Sequence, residues 1–349
     1  MYDEIFVLTL GFSFILLFAW AFKALPQEDW QILAIVPLTK TGVQNWQGLN
    51  LTYYGLFIAF ATVVALSTLL VLLSAIHIPI SAILSISAFT LLIGLIASKF
   101  FAALVEKKPH TFTIAGAFFA GFFTLPPIVL VFDRFVLAES NRLPMIPILA
   151  SFGIAYAIGE GLGRLACISF GCCYGKLFSD CHPIFRRFLG KYCFVFNGKL
   201  KKIAYESGLD GKRVVPVQAI TALLYVTVGL ITTFVFLKGH YSTALIVTIF
   251  FTQSWRVLSE TLRADYRGDG NLTAYQIMAL VSIPYVLFIN FLFVDACSPA
   301  ANVKNGLITL WDPMVFLFIQ IVGLTTFVFT GRSMVTSSTI SFHIVTERI

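Results

Sequence analysis

Five charged residues occupy stretches that are otherwise apolar. Glu160 and Arg164 stand four residues apart in the run Met145 to Cys167, and Arg256, Glu260 and Arg263 stand at i, i+4 and i+7 at the end of the run Thr243 to Leu262. On a helix each set shares one face. A charge at the centre of a membrane span costs about 2.5 to 3.5 kcal/mol on insertion scales, so each requires a partner or a purpose. If the two faces meet, three Arg against two Glu leave one excess positive charge, and arginine's planar fork binds phosphate oxygens two at a time. The pattern predicts a phosphate site inside a helical bundle. The plainer alternative is mutual neutralisation at helix ends, which fits Arg263 best because Asp265, Arg267 and Asp269 follow it. Gly159, Gly161 and Gly163 flank Glu160 and let either a ligand or a neighbouring backbone come close; Gly159 with Gly163 is also a packing spacing.

The composition says what must position these residues. Of 349 residues, 58% are apolar, 15% aromatic and only 12% charged, with a mean hydropathy of +0.89. Soluble domains carry about 25% charged residues, so this is a membrane protein and not a soluble, disordered or coiled-coil chain. The net charge of +7, crowded into short loops, favours anionic headgroups or phosphates over nucleic acid. A span needs roughly 20 apolar residues. Nine runs qualify: about Ile5 to Leu25, Leu51 to Ala75, Pro79 to Val105, Phe112 to Val131, Met145 to Cys167, Pro216 to Leu237, Thr243 to Leu262, Thr273 to Val294 and Pro313 to Phe329. Pro126-Pro127 should kink the fourth. Asp3 and Glu4 stand where a secretory signal would carry Lys or Arg, so the first run reads as a retained span. The expected fold is an all-α polytopic bundle: an N-terminal span and polar linker (1–50), a first core part (51–168), an extramembrane lobe (169–215), a second core part (216–295), and a last span with a polar tail (296–349). No internal repeat supports an inverted-repeat transporter.

The run Gly163-Arg164-Leu165-Ala166-Cys167-Ile168-Ser169-Phe170-Gly171-Cys172-Cys173-Tyr174-Gly175 resembles the G-R-x-G-N-F-x-N-G-E-x-W/Y-G signature of prolipoprotein diacylglyceryl transferases. Three further stretches resemble that family in the same order: Tyr54-Gly55-Leu56 (W-Y-G-L), Pro216-Val217-Gln218 (P-S-Q) and Arg256 to Arg263 (R-x-x-x-E-F-F-R). The resemblance implies a seven-span core with one extra span at each end, in a bacterial inner membrane, and transfer of the diacylglyceryl group of phosphatidylglycerol to the lipobox cysteine of a prolipoprotein. The implied catalytic residues are Arg164, on the phosphodiester, and Arg256 with Glu260, shaping the cavity. Tyr54, Glu160, Gly163, Gln218 and Arg263 are implied substrate-binding residues, with Arg263 at the mouth. The implied partners are phosphatidylglycerol, the prolipoprotein thiol and membrane lipid, without nucleic acid. Neither a cofactor nor a catalytic metal is expected.

Departures from the signature qualify the expected chemistry. The family's H-G-G segment aligns with Ile114-Ala115-Gly116-Ala117, which holds no His, and His110 lies upstream on a different turn. Cys167 and Cys172 replace the signature Asn and Glu, and Val215 replaces the His of H-P-S-Q. A diverged phospholipid-binding protein, or a transferase with another acceptor, is the alternative. Cys172, Cys173, Cys181 and Cys193 with His182 leave disulfides, zinc or free thiols open for the lobe. The lobe's many Lys and Arg favour a cytoplasmic placement, whereas the resemblance implies the outer face.

Overall fold

The computed structural model describes residues 1–106, 113–135, 143–181, 190, 192–265, 272–293 and 300–349, with Glu106 and Phe135 described by backbone alone. The long helices among these are α1 (Tyr2–Ala24), α2 (Tyr53–Ala75), α3 (Ile80–Glu106), α4 (Ile114–Phe135), α5 (Met145–Phe170), α7 (Val217–Leu237), α8 (Tyr241–Leu262), α9 (Ala274–Leu292) and α11 (Pro313–Thr330). Short helices α6 (Lys202–Ser207) and α10 (Val303–Thr309) complete the helical set. Eight of the long helices are long and apolar enough to cross a membrane. The ninth, α8, has Gln253, Arg256 and Glu260 along its buried side and is more polar than the rest, yet it packs between α7, α9 and α5. The chain is therefore a multi-pass, all-α membrane protein. Helix α4 runs unbroken through Pro126 and Pro127.

Helix α5 is the axis of the bundle. Its apolar window is 83% buried, against 17% for α1 and for α11 at the periphery. Its glycines explain part of that. A Cβ on Gly159 would lie 2.7 Å from the Ala65 side chain of α2, and one on Gly161 would lie 2.8 Å from Val226 of α7. Both positions serve close helix packing, since without hydrophobic drive in lipid it is near backbone approach that holds helices together. At Gly163 an added Cβ meets nothing within 4 Å, so that face is open. The helix stops at Gly171, whose φ of +74° gives the left-handed cap that only glycine adopts cheaply.

The polar linker and tail differ from expectation. They pair into an antiparallel sheet of β1 (Ile32–Lys40), β2 (Asn45–Thr52) and β5 (Arg332–Ser341), in the order β1-β2-β5. Thr52 joins sheet to bundle: its Oγ1 accepts from Gly55 N at 3.4 Å, capping α2, and donates to Gly331 O at 3.0 Å. A Cβ on Gly55 would sit 2.1 Å from Gly331 Cα. Backbone faces backbone there, so Gly55→Ala forces α2 and the end of α11 apart. It should cost about 1 to 3 kcal/mol, read as a lowered unfolding midpoint in detergent.

The lobe docks on the same end of the bundle. A two-stranded sheet, β3 (Phe194–Val195) with β4 (Arg213–Val214), carries it. Lys201 is fully buried and its Nζ donates to Leu25 O (3.1 Å) and Ser169 O (2.7 Å). It thus caps the carbonyl ends of both α1 and α5, where the helix dipoles favour a cation. Burial nevertheless pulls its ammonium from 10.5 down to about 8. Between those two values the unfolded chain binds the extra proton, so stability should rise with pH from about 8 to 10.5 and level off above. Thermal melts at pH 7 and 9.5 should show this rise in the wild type and lose that share of it in Lys201→Met.

Candidate active site

Helices α5 and α8 bring their charged faces together. Glu160, only 3% exposed, is the meeting point: its Oε1 pairs with Arg164, one turn on, and with Arg256 Nη1 of α8 at 3.6 Å. Two guanidinium groups therefore share one carboxylate oxygen, well inside the about 12 Å over which two Arg can hold one phosphate. The Nε–H groups of both arginines are buried and meet no hydrogen-bond acceptor among the described residues. Unused buried donors of this kind are costly unless a ligand takes them.

Arg263 is partnered differently. Its Nε and Nη2 fork onto Asp265 at 2.8 and 2.5 Å, and its Nη1 lies 3.7 Å from Glu260 Oε1. The backbone around it is stitched to the signature loop by Lys176 N to Leu262 O (2.9 Å) and Ala264 N to Tyr174 O (3.1 Å). Asp265 corrects the charge count made from sequence. Three Arg face three carboxylates, not two, so the cluster is neutral as a whole. The charge is divided in space instead: Arg164 and Arg256 with Glu160 carry one positive charge, and Arg263 with Glu260 and Asp265 carry one negative charge.

A small pocket joins the two groups, lined by Arg164, Arg256, Glu260 and Arg263 together with Gln218 and Cys173. Gln218, in the first turn of α7, fixes the signature loop by donating from Nε2 to Cys172 O at 2.8 Å, and its own Oε1 meets no hydrogen-bond partner among the described residues. Val217 and the hydroxyl residues Thr221, Tyr225 and Ser259 complete the wall. These three were not read from sequence, although Thr221 and Tyr225 follow Gln218 at i+3 and i+7 on one face of α7. Their hydroxyls are used for positioning: Trp255 Nε1 donates to Thr221 Oγ1 at 2.9 Å, and Tyr225 donates to Thr252 O at 2.7 Å.

Of the remaining expected site residues, Tyr54 does not line this cavity. It packs edge-on against Phe170 at 5.5 Å between ring centres, near the signature cysteines. Gly163 lies beside Arg164 with open space over its Cα. Arg256 also borders a second, tighter pocket, lined by Ala115, Phe118, Gln253 and Tyr275 among others. Ala115, from the segment that resembles the family's H-G-G, lines this pocket together with Arg256. No His lines either cavity among the described residues; His110 and His182 lie outside them. Lys99 sits over the Phe329 ring at 5.1 Å, away from the site.

The sulfur atoms of Cys167, Cys172 and Cys173 lie within 4.8 Å of one another, a group that adds Cys167 to the lobe set considered from sequence. Cys172 is kept protonated: its contacts with the Cys167 and Cys173 thiols, together with burial, raise it well above the ordinary thiol range. A family model described as prolipoprotein diacylglyceryl transferase matches residues 43–294, more than half of the chain. No curated protein matches it.

Proposed function

The chain belongs to the prolipoprotein diacylglyceryl transferase family, and from that premise we propose that it moves the diacylglyceryl group of phosphatidylglycerol onto the lipobox cysteine of a prolipoprotein in a bacterial inner membrane. The observation that carries this reading is the convergence of Arg164 and Arg256 on Glu160 in a cavity bounded by the family's signature loop. In this reading the phosphodiester enters between the two guanidinium groups, taking their spare Nε–H donors. Its single negative charge matches the single positive charge of the Arg164–Arg256–Glu160 group. As the acceptor sulfur attacks the glyceryl carbon, the C–O bond to phosphorus breaks and the leaving phosphate gathers charge. Preorganised arginines in a dry cavity stabilise that charge more than they do the ground state. Glu260 and Asp265 hold Arg263, which ties α8 to the signature loop and so fixes the cavity mouth. Gln218 orients the same loop.

Ala115 in place of the family's His favours a second reading, in which the lipid grip is kept and the acceptor differs. Complementation separates the two. Expression in a bacterium conditionally depleted of its own transferase should restore growth and shift a reporter lipoprotein by the mass of one diacylglyceryl group. Unmodified reporter, with the protein present in the membrane, would reject the lipobox acceptor.

A further inference from the structure

We infer that Cys167, Cys172 and Cys173 bind one zinc ion whose fourth coordination position opens into the Arg164–Arg256 cavity and takes the acceptor thiol as thiolate. This rests on the transferase reading above.

Three observations converge on it. The three sulfur atoms lie within 4.8 Å of one another, and a tetrahedral zinc thiolate site, with Zn–S near 2.3 Å, needs them about 3.8 Å apart. Side-chain rotation closes that gap. The loop carries an uncommon backbone here: Cys173 is held at φ +55°, a left-handed conformation that is unfavourable for a residue with a Cβ and that clusters at functional sites. Finally, Cys173 lines the same cavity as the arginines. Three protein ligands with one open position is the arrangement of catalytic rather than structural zinc.

Zinc with three thiolates carries one negative charge. Arg164, from the group with one net positive charge, acts on Cys167, whereas Arg263 and Lys202 near the other two cysteines are paired with their own carboxylates. The need is also specific to this chain, because the position of the family's His beside Arg256 is occupied by Ala115. A metal deprotonates a coordinating thiol outright, so no protein base has to do so. The step balances without an oxidant or a reductant. The acceptor S–H gives up its proton as sulfur binds zinc, and the sulfur electron pair forms the bond to the glyceryl carbon. The C–O bond breaks with its pair on the phosphate oxygen, which takes the proton and leaves as glycerol phosphate.

The test uses full-length protein, reduced and equilibrated with zinc in nanodiscs, then freed of loose metal and assayed by elemental analysis. Wild type and Cys181→Ser should hold about one zinc per chain, Cys167→Ser/Cys172→Ser under about a tenth, and Cys173→His, which keeps a ligand, about one. Cobalt in place of zinc should give a thiolate charge-transfer band that the double variant lacks. A reduced wild type without zinc, or a disulfide among the three cysteines in protein purified without oxidant, would overturn the inference. Transfer to a lipobox peptide keeps the two readings apart. Undiminished transfer by zinc-free protein removes the metal and leaves the transferase; stoichiometric zinc with no transfer removes the transferase and, with it, the metal's role.

Discussion

Replacing Arg164 by Lys should lower diacylglyceryl transfer by roughly 10²- to 10³-fold, the loss typical of removing one preorganised donor to a developing oxyanion. Lys keeps the positive charge, so the ion pair with Glu160 survives and the bundle remains folded. It loses the fork, and with it the buried Nε–H that finds no partner among the described residues. A compact ammonium cannot take two oxygens of one phosphate in fixed geometry. The measurement is the rate of lipid turnover by purified variants with equal size-exclusion profiles. A loss under about threefold would mean that Arg164 acts as a point charge and does not take the phosphate in two-pronged fashion.

The second large effect is on stability. Glu160→Leu leaves Arg164 and Arg256 buried together without their shared carboxylate, and breaking a buried ion pair from one side costs about 3 to 5 kcal/mol. The unfolding midpoint in nanodiscs should fall accordingly. Glu160→Leu/Arg256→Met, which removes one of the stranded charges, should recover part of the loss, because the two contacts share Glu160 Oε1 and are coupled. Equal stability of wild type and Glu160→Leu would show that water or lipid phosphate reaches these arginines freely in the resting protein.

Most of the helices could be read from sequence because apolar runs of span length are a one-dimensional signal. The charged faces could be read because Glu160 with Arg164, and Arg256 with Glu260, recur at helical spacing. What escaped was the set of features that depends on distant segments. Strand β5 pairs with β2, as in Trp46 with Ile340, across nearly the whole chain, and neither strand is long enough to register on a ruler set for membrane spans. Asp265 follows Arg263 in sequence and so offers neutralisation, but its two-pronged fork onto Arg263 depends on how the chain leaves α8. Cys167 lies on α5, ahead of the lobe cysteines in sequence. The left-handed turns at Gly171 and Cys173 place it beside the other two sulfur atoms. Gly159 and Gly163 share a sequence spacing but not a role: one meets α2 and the other faces open space.

The central claim, that the Arg164–Arg256 cavity transfers diacylglyceryl from a phosphatidylglycerol phosphodiester to a thiol, is tested most directly by chemistry on purified protein. Phosphatidylglycerol labelled in its diacylglyceryl part is supplied in nanodiscs with a lipobox peptide, and the peptide is read by mass. The account predicts a thioether-linked diacylglyceryl peptide and one glycerol phosphate released per transfer, both lost in Arg256→Ala. Phosphatidylglycerol bound at the cavity with no product above a protein-free control would contradict it.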